Sequence, residues 1–284
     1  MKNRTIDVEP LAGAIGAELH GVDMGGDASP EQIAEIRSAL LAHRVIFFRD
    51  QHLTPADQVA FGKRFGAPYQ IPFVAGMAEE PDVIEIVKEA TETKVANFGG
   101  RWHTDMSFEE APPMGSILYG VDIPRTGGDT IFCNMEAAYE GLSAGMRRLL
   151  DGMTAMHSAK RSYGSQGRFA TLDVKSMRIE ANEEGDAETA HPVVRTHPET
   201  GRKGLFVNPV YTIRFADMTE EESQPLLDFL NDHCHRPEYT CRFRWRPGSV
   251  AFWDNRCTQH LALNDYDGAR RQMRRVTLKG ERPV

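Results

Sequence analysis

Arg101-Trp102-His103-Thr104-Asp105-Met106-Ser107-Phe108 is the stretch on which the reading of this chain turns. His103 and Asp105 stand two residues apart, and the side chains of an extended strand repeat their facing every two residues. An extended segment therefore aims an imidazole and a carboxylate the same way, whereas on a helix positions i and i+2 diverge by roughly 200°. The flanking aromatic and hydroxyl residues suit a strand or its end. Read alone, the spacing favours a hydrogen-bonded or surface histidine over a ligand, because 10 histidines and 41 acidic residues produce His-x-Asp by chance. With the distant His260 it becomes a two-histidine, one-carboxylate donor set. Such a set holds a divalent metal on one face and leaves the opposite face open, as in non-haem Fe(II) oxygenases.

Length and composition set the context. The 284 residues, 40% hydrophobic and 8% aromatic, are enough for one large core, read as a single domain over 1–284. No run of eighteen apolar residues occurs, and the segment Met1 to Asp7 lacks the apolar stretch of a signal peptide, so the expectation is a cytoplasmic protein with no membrane partner. Cys133, Cys234, Cys241 and Cys257 are widely spaced, which suggests neither a zinc ribbon nor a disulfide framework. A formal charge of −8 with interspersed signs argues against nucleic acid and for a small-molecule or protein partner.

Working outward, Ser29-Pro30-Glu31-Gln32 ahead of Ile33, Ile36, Leu40 and Leu41 reads as a capped helix, and Thr54-Pro55-Ala56-Asp57 opens a second one ending near Gly66. Arg44-Val45-Ile46-Phe47-Phe48-Arg49 reads as a buried strand between them. Further strands are expected over 83–87, 116–121, 129–133, 193–196, 205–208, 241–245, 249–253 and 271–278, with helices over 135–141, 144–153 and 220–234. Many short strands, a few helices and no βαβ rhythm predict a mostly β protein with helical additions, built on a β-sandwich or jelly roll. The acid-rich part of the segment around 160–190 reads as an exposed loop or insertion.

If 271–278 is a strand, Arg271, Met273, Arg275 and Thr277 share one face. Two inward arginines are unfavourable unless each meets an anion. With a candidate ligand eleven residues upstream, a carboxylate clamp is the better reading of Arg271, and the Thr130 hydroxyl beyond the Gly127-Gly128 turn can share it.

Trp102-His103-Thr104-Asp105, Pro112-Pro113, Thr126-Gly127-Gly128-Asp129-Thr130, Trp253-Asp254-Asn255-Arg256 with His260, and Asp265-Tyr266 followed by Arg271 and Arg275 together resemble the TauD/TfdA family of Fe(II)- and 2-oxoglutarate-dependent dioxygenases. The resemblance implies a double-stranded β-helix (a cupin-like jelly roll), iron held by His103, Asp105 and His260, and the distal carboxylate of 2-oxoglutarate held by Arg271 and Thr130. It implies hydroxylation of a small acid with O2, release of succinate and CO2, and a homo-oligomer.

Where taurine-type members carry a histidine and a tyrosine for their substrate, this chain has Ile71 and Val74. Ile71 and Phe73 are therefore expected to form an apolar wall, and Arg275 to pair with the substrate's carboxylate. His157-Ser158-Ala159, Val174-Lys175, His191-Pro192-Val193-Val194 and Tyr239-Thr240-Cys241-Arg242 are similar to aryloxyalkanoate dioxygenases, which implies ether cleavage of a phenoxy acid. The same chemistry on a sulfonate, a sulfate ester or another hydrophobic acid is the alternative. A zinc hydrolase using His-Asp-His and a non-catalytic acid-binding protein are two further readings.

Overall fold

The computed structural model describes residues 5–93, 97–171 and 176–284, so the Val174-Lys175 pair lies outside the described residues. The compact run of Val45 to Phe48 is a fully buried strand, Val45–Phe48, in the interior of a seven-stranded sheet. On one side it pairs with Val250–Asp254, which pairs in turn with Gly115–Asp122, then Arg271–Leu278, then Val83–Lys88 at the edge. On the other side, Ala17–His20 runs parallel to it and is joined by Asp7–Pro10.

Strand alternation gives this sheet two apolar faces. Ile46, Phe48, Ile117, Phe252 and Val276 meet the helices Pro30–His43 and Pro55–Lys63 through Ile36, Leu40, Val59 and Phe61. Phe47, Trp253 and Met273 face the other way, into Phe132 and Phe243 of a three-stranded sheet ordered Thr240–Phe243, Thr130–Asn134, Thr258–Ala262. Phe47 stacks on Phe243 at 4.0 Å between centroids, and Trp253 lies 5.8 Å from Phe132. Two sheets closed over an aromatic core make the double-stranded β-helix, a jelly roll with helices on its outer face. A second three-stranded sheet, Thr212–Phe215, Thr154–Ser158 and Glu188–Pro192, flanks the barrel beside helix Glu220–Cys234.

Both expected helix starts are capped as read. Ser29 accepts the Gln32 N–H, although the Gln32 side chain turns away to the Gly21 carbonyl, and Thr54 with Asp57 completes a capping box. Strand 271–278 and helix 220–234 match the expected bounds. Other bounds are corrected: residues 244–245 lie outside strand Thr240–Phe243, and the helix expected over 144–153 ends at Leu150. Residues 206–208 lie outside the ladder, whose strand is Lys203–Leu205. Six strands had no expectation, among them Thr258–Ala262, which carries His260. The segment 101–108 is extended only at His103, which makes a single bridge to His260; a turn begins at Asp105, and Met106 has φ 45°. The reason is tertiary: the Asn255 side chain accepts the Asp105 N–H at 2.8 Å and donates to the Asp105 carbonyl at 2.9 Å, taking the place of a partner strand.

Candidate active site

Reciprocal backbone hydrogen bonds join His103 and His260, with N–H to carbonyl distances of 3.1 and 2.9 Å, and bring their rings to 4.2 Å between centroids. His103 Nδ1 lies 2.7 Å from the Arg101 carbonyl. A carbonyl can only accept, so Nδ1 carries the proton and Nε2 keeps its lone pair for a metal. That Nε2 is 3.5 Å from Asp105 Oδ1, and one ligand atom from each of His103, Asp105 and His260 lies within 4.8 Å of the others. All three residues are buried, and His260 Nδ1 has no hydrogen-bond partner among the described residues. Nitrogen and oxygen donors in this geometry fit a divalent iron ion.

Asp105 is held in place by its neighbours. Ser116 donates to Oδ2 at 3.2 Å and Arg275 Nη1 to Oδ1 at 3.1 Å. Burial pushes the carboxyl's pKa up, but Arg275, His260 and His103 outweigh it and hold the group well below the usual carboxylate range. Burial and the neighbouring His103 push His260 well below its ordinary value, which leaves its ring neutral and able to ligate.

Arg271 is 4% exposed, and its Nε and Nη2 have no partner among the described residues. Burial lowers its pKa, which marks a cation paying for desolvation without a paired anion. It rests over the Tyr266 ring at 5.9 Å. The turn at Gly127 and Gly128, with φ of 81° and 70°, packs directly against it: a Cβ on Gly128 would lie 3.2 Å from Arg271 Cδ and Nε. Thr130 Oγ1 accepts the Trp245 indole N–H at 2.9 Å, which leaves the hydroxyl proton free to donate elsewhere. An unpaired buried guanidinium fits a carboxylate-bearing cosubstrate.

The cavity beside His103 and Asp105 is lined by Ile71, Phe98, Met106, Phe108, Phe169 and Val210, with Gly99 and Gly100. Tyr163, Tyr211 and Arg275 also line it, and burial pushes the Tyr163 hydroxyl up to about 12. Ile71 lines the cavity. Phe73 is one layer back, with φ 66°, and stacks on Tyr163 at 5.2 Å, so it supports the wall through that ring. The described part of 160–190 is more ordered than a solvated loop: Tyr163, Arg168 and Phe169 form cavity wall, and Glu188–Pro192 is a strand, while most of the acids remain exposed.

Sequence reading missed the polar support beneath this wall. Asn208 donates to Ser107 Oγ at 2.8 Å, and Ser107 in turn reaches His157 Nδ1 at 3.0 Å. Burial, with help from His191, pushes His157 down to about 3, so it stays a neutral acceptor. Ser107 lies two residues beyond Asp105, the position that would have signalled a tie to the ligand loop. A second donor cluster, His197, Asp254 and Cys257, is already saturated. His197 Nδ1 accepts two backbone N–H groups, its Nε2 donates to Asp254 at 3.0 Å, and Arg256 grips the same carboxylate at 2.8 and 2.7 Å. It is a structural network. Trp245 and Trp253 are core, and all four cysteines are free and buried. Among the described residues no helix is long and apolar enough to cross a membrane.

Residues 7–277 match the model of the taurine catabolism dioxygenase TauD, TfdA family. An α-ketoglutarate-dependent sulfate ester dioxygenase of Pseudomonas putida is 39% identical, covering 98% of this chain and 91% of that protein. An alkylsulfatase of Acinetobacter baylyi is 37% identical, covering 97% and 86%. A 2,4-dichlorophenoxyacetate dioxygenase of a Burkholderia species is 30% identical, covering 98% and 96%. The crystal structure of a putative α-ketoglutarate-dependent taurine dioxygenase from Burkholderia xenovorans superposes with TM-score 0.83 at 41% identity, covering 98% and 91%. The structure of AAD-2 with Mn(II) and N-oxalylglycine does so with TM-score 0.81 at 28% identity, covering 99% of each chain. The chain belongs to the TauD/TfdA family, and it is an Fe(II)- and 2-oxoglutarate-dependent dioxygenase.

Proposed function

We propose that the enzyme oxidises an alkyl sulfate or related sulfate ester. The observation that carries this is Arg275: a guanidinium 4% exposed, lining a cavity that also presents Ile71, Phe98, Phe108, Phe169 and Val210, suits an amphiphile with an anionic head. A carboxylate and a sulfate would both satisfy that cation. Similarity favours the sulfate, since the sulfate ester dioxygenase and the alkylsulfatase are 39% and 37% identical, against 30% for the phenoxyacetate enzyme and 28% for AAD-2. The phenoxy-acid expectation gives way to its alternative on that ground.

In this reading His103, Asp105 and His260 hold the iron, and Arg271 with the Thr130 hydroxyl holds the far carboxylate of 2-oxoglutarate. The bound pair supplies the oxidation in which O2 converts 2-oxoglutarate to succinate and CO2 and leaves a hydroxyl on the substrate carbon. The chain's share is positioning. Ser116, Asn255 and Arg275 fix Asp105, while Ile71, Phe108 and the ring of Tyr163, braced by Phe73, exclude water and present the carbon bearing the ester oxygen. Hydroxylated there, R–CH(OH)–O–SO3− loses its proton and its C–O bond to give R–CHO and hydrogen sulfate. Arg275 Nε, which has no partner among the described residues, is left to donate to the anion while Nη1 holds Asp105.

The test is turnover of a medium-chain alkyl sulfate by iron-loaded enzyme with 2-oxoglutarate. Equimolar succinate, aldehyde and sulfate are expected. Phenol release from a phenoxypropionate, with no succinate from alkyl sulfates, would overturn the proposal.

A further inference from the structure

Four of the residues lining the cavity are arginines, Arg101, Arg161, Arg168 and Arg275, and Asp105 is the carboxylate among its lining residues. This bias runs against a chain whose formal charge is −8. The four differ in depth and in pairing. Arg275 is buried and bonded to Asp105, and Arg161 is tied to Glu220 at 3.0 Å. Arg101, exposed, and Arg168, partly exposed, have no side-chain hydrogen bond or ion pair among the described residues. The aromatic residues Phe98, Phe108, Tyr163 and Phe169 line the same cavity. The cavity lining thus holds one buried cation, apolar and aromatic side chains, and two uncommitted, more exposed guanidiniums.

A simple alkyl sulfate would engage Arg275 and leave Arg101 and Arg168 without an anion. Arginine is suited to binding a carboxylate or sulfate through its planar fork. Resting on the sulfate-ester reading, we infer that Arg101 and Arg168 form a second anion-recognition point, so that the preferred substrate is dianionic: a sulfate ester at one end of an apolar chain and a second anion, such as a carboxylate, at the other. Partly exposed pairs are screened and individually weak, so the effect is one of preference and capture rate.

The experiment compares an alkyl sulfate with an ω-carboxyalkyl sulfate of equal chain length, using iron-loaded enzyme, saturating 2-oxoglutarate and succinate as readout. The dianion is expected to show a kcat/KM higher by about 3- to 10-fold, falling as salt is raised. In the Arg101→Ala/Arg168→Ala double variant the ratio should drop to about one, and in Arg168→Glu it should invert. Equal kcat/KM for the two compounds in the unmodified enzyme, or a preference that survives in the double variant, would overturn the inference while leaving the sulfate-ester reading intact. Turnover of neither compound would defeat that reading and the inference with it.

Discussion

Arg275 Nη1 lies 3.1 Å from Asp105 Oδ1, so the cation proposed to meet the substrate is, without one, the partner of the carboxylate proposed to hold the metal. Both side chains are buried, and removing one member of such a pair leaves the other uncompensated. Arg275→Gln should therefore lower the stability of the metal-free protein by about 3 kcal/mol. Divalent metal neutralises Asp105 in its own way, so adding Mn(II) should restore more stability to the variant than to the parent. Thermal unfolding with and without Mn(II) checks this; an equal metal-induced shift in both proteins would count against it.

Arg271 makes the opposite case, being buried without a paired anion. Arg271→Leu should leave the stability of the ligand-free protein unchanged or higher. It should also weaken 2-oxoglutarate by about 10-fold or more, since charged hydrogen bonds are worth about 1.5 to 3 kcal/mol. Calorimetric titration of the Mn(II)-loaded protein measures the second effect, and unchanged affinity would remove Arg271 from the cosubstrate site.

The Gly127-Gly128 turn separates two consequences. At Gly127 a Cβ would sit 2.5 Å from the Asp265 carbonyl with φ at 81°, so Gly127→Ala should destabilise the fold by about 1 to 3 kcal/mol in urea unfolding. At Gly128, with φ at 70°, the nearest atoms belong to Arg271 and Tyr266, so Gly128→Ala should raise the KM for 2-oxoglutarate in addition to straining the turn. Normal steady-state kinetics for Gly128→Ala would show that Arg271 need not hold its present position.

His157 predicts an acid sensitivity. Its folded-state pKa is pushed down to about 3 from an ordinary 6.5, so above pH 6.5 both folded and unfolded chains carry it neutral. As pH falls below 6.5 the unfolded chain binds a proton that the folded chain refuses, and stability declines until the folded histidine titrates near 3. His157→Asn keeps an acceptor for Ser107 and should flatten part of the fall in urea midpoint between pH 7.5 and 4.5. An unaltered slope would exclude His157 as a contributor.

The sequence carried the barrel where apolar side chains dominate a strand, as in Val45 to Phe48, and where alternation is strict, as in Arg271 to Thr277. It hid Thr258–Ala262, whose polar Thr, Gln and His point into a buried network rather than to solvent. It also suggested a strand at 101–108, because no local signal tells that Asn255, 150 residues away, supplies the pairing that ends extension at Asp105. Arg275 was legible as a buried cation needing an anion, but its partner in the folded chain required tertiary geometry. Phe73 was legible as apolar, while its place behind Tyr163 follows from a positive φ that its residue type does not advertise. His157 looked like any core histidine because its partners, Ser107 and Asn208, come from distant segments.

The most direct measurement is anaerobic titration of the folded protein with Fe(II) and then 2-oxoglutarate, followed by visible absorption. A metal-to-ligand charge-transfer band is expected in the unmodified protein, absent in His260→Ala and shifted to higher 2-oxoglutarate concentration in Arg271→Leu. A folded, unmodified protein that shows no band, or a band of full intensity in His260→Ala, would contradict the assignment of His103, Asp105 and His260 to iron.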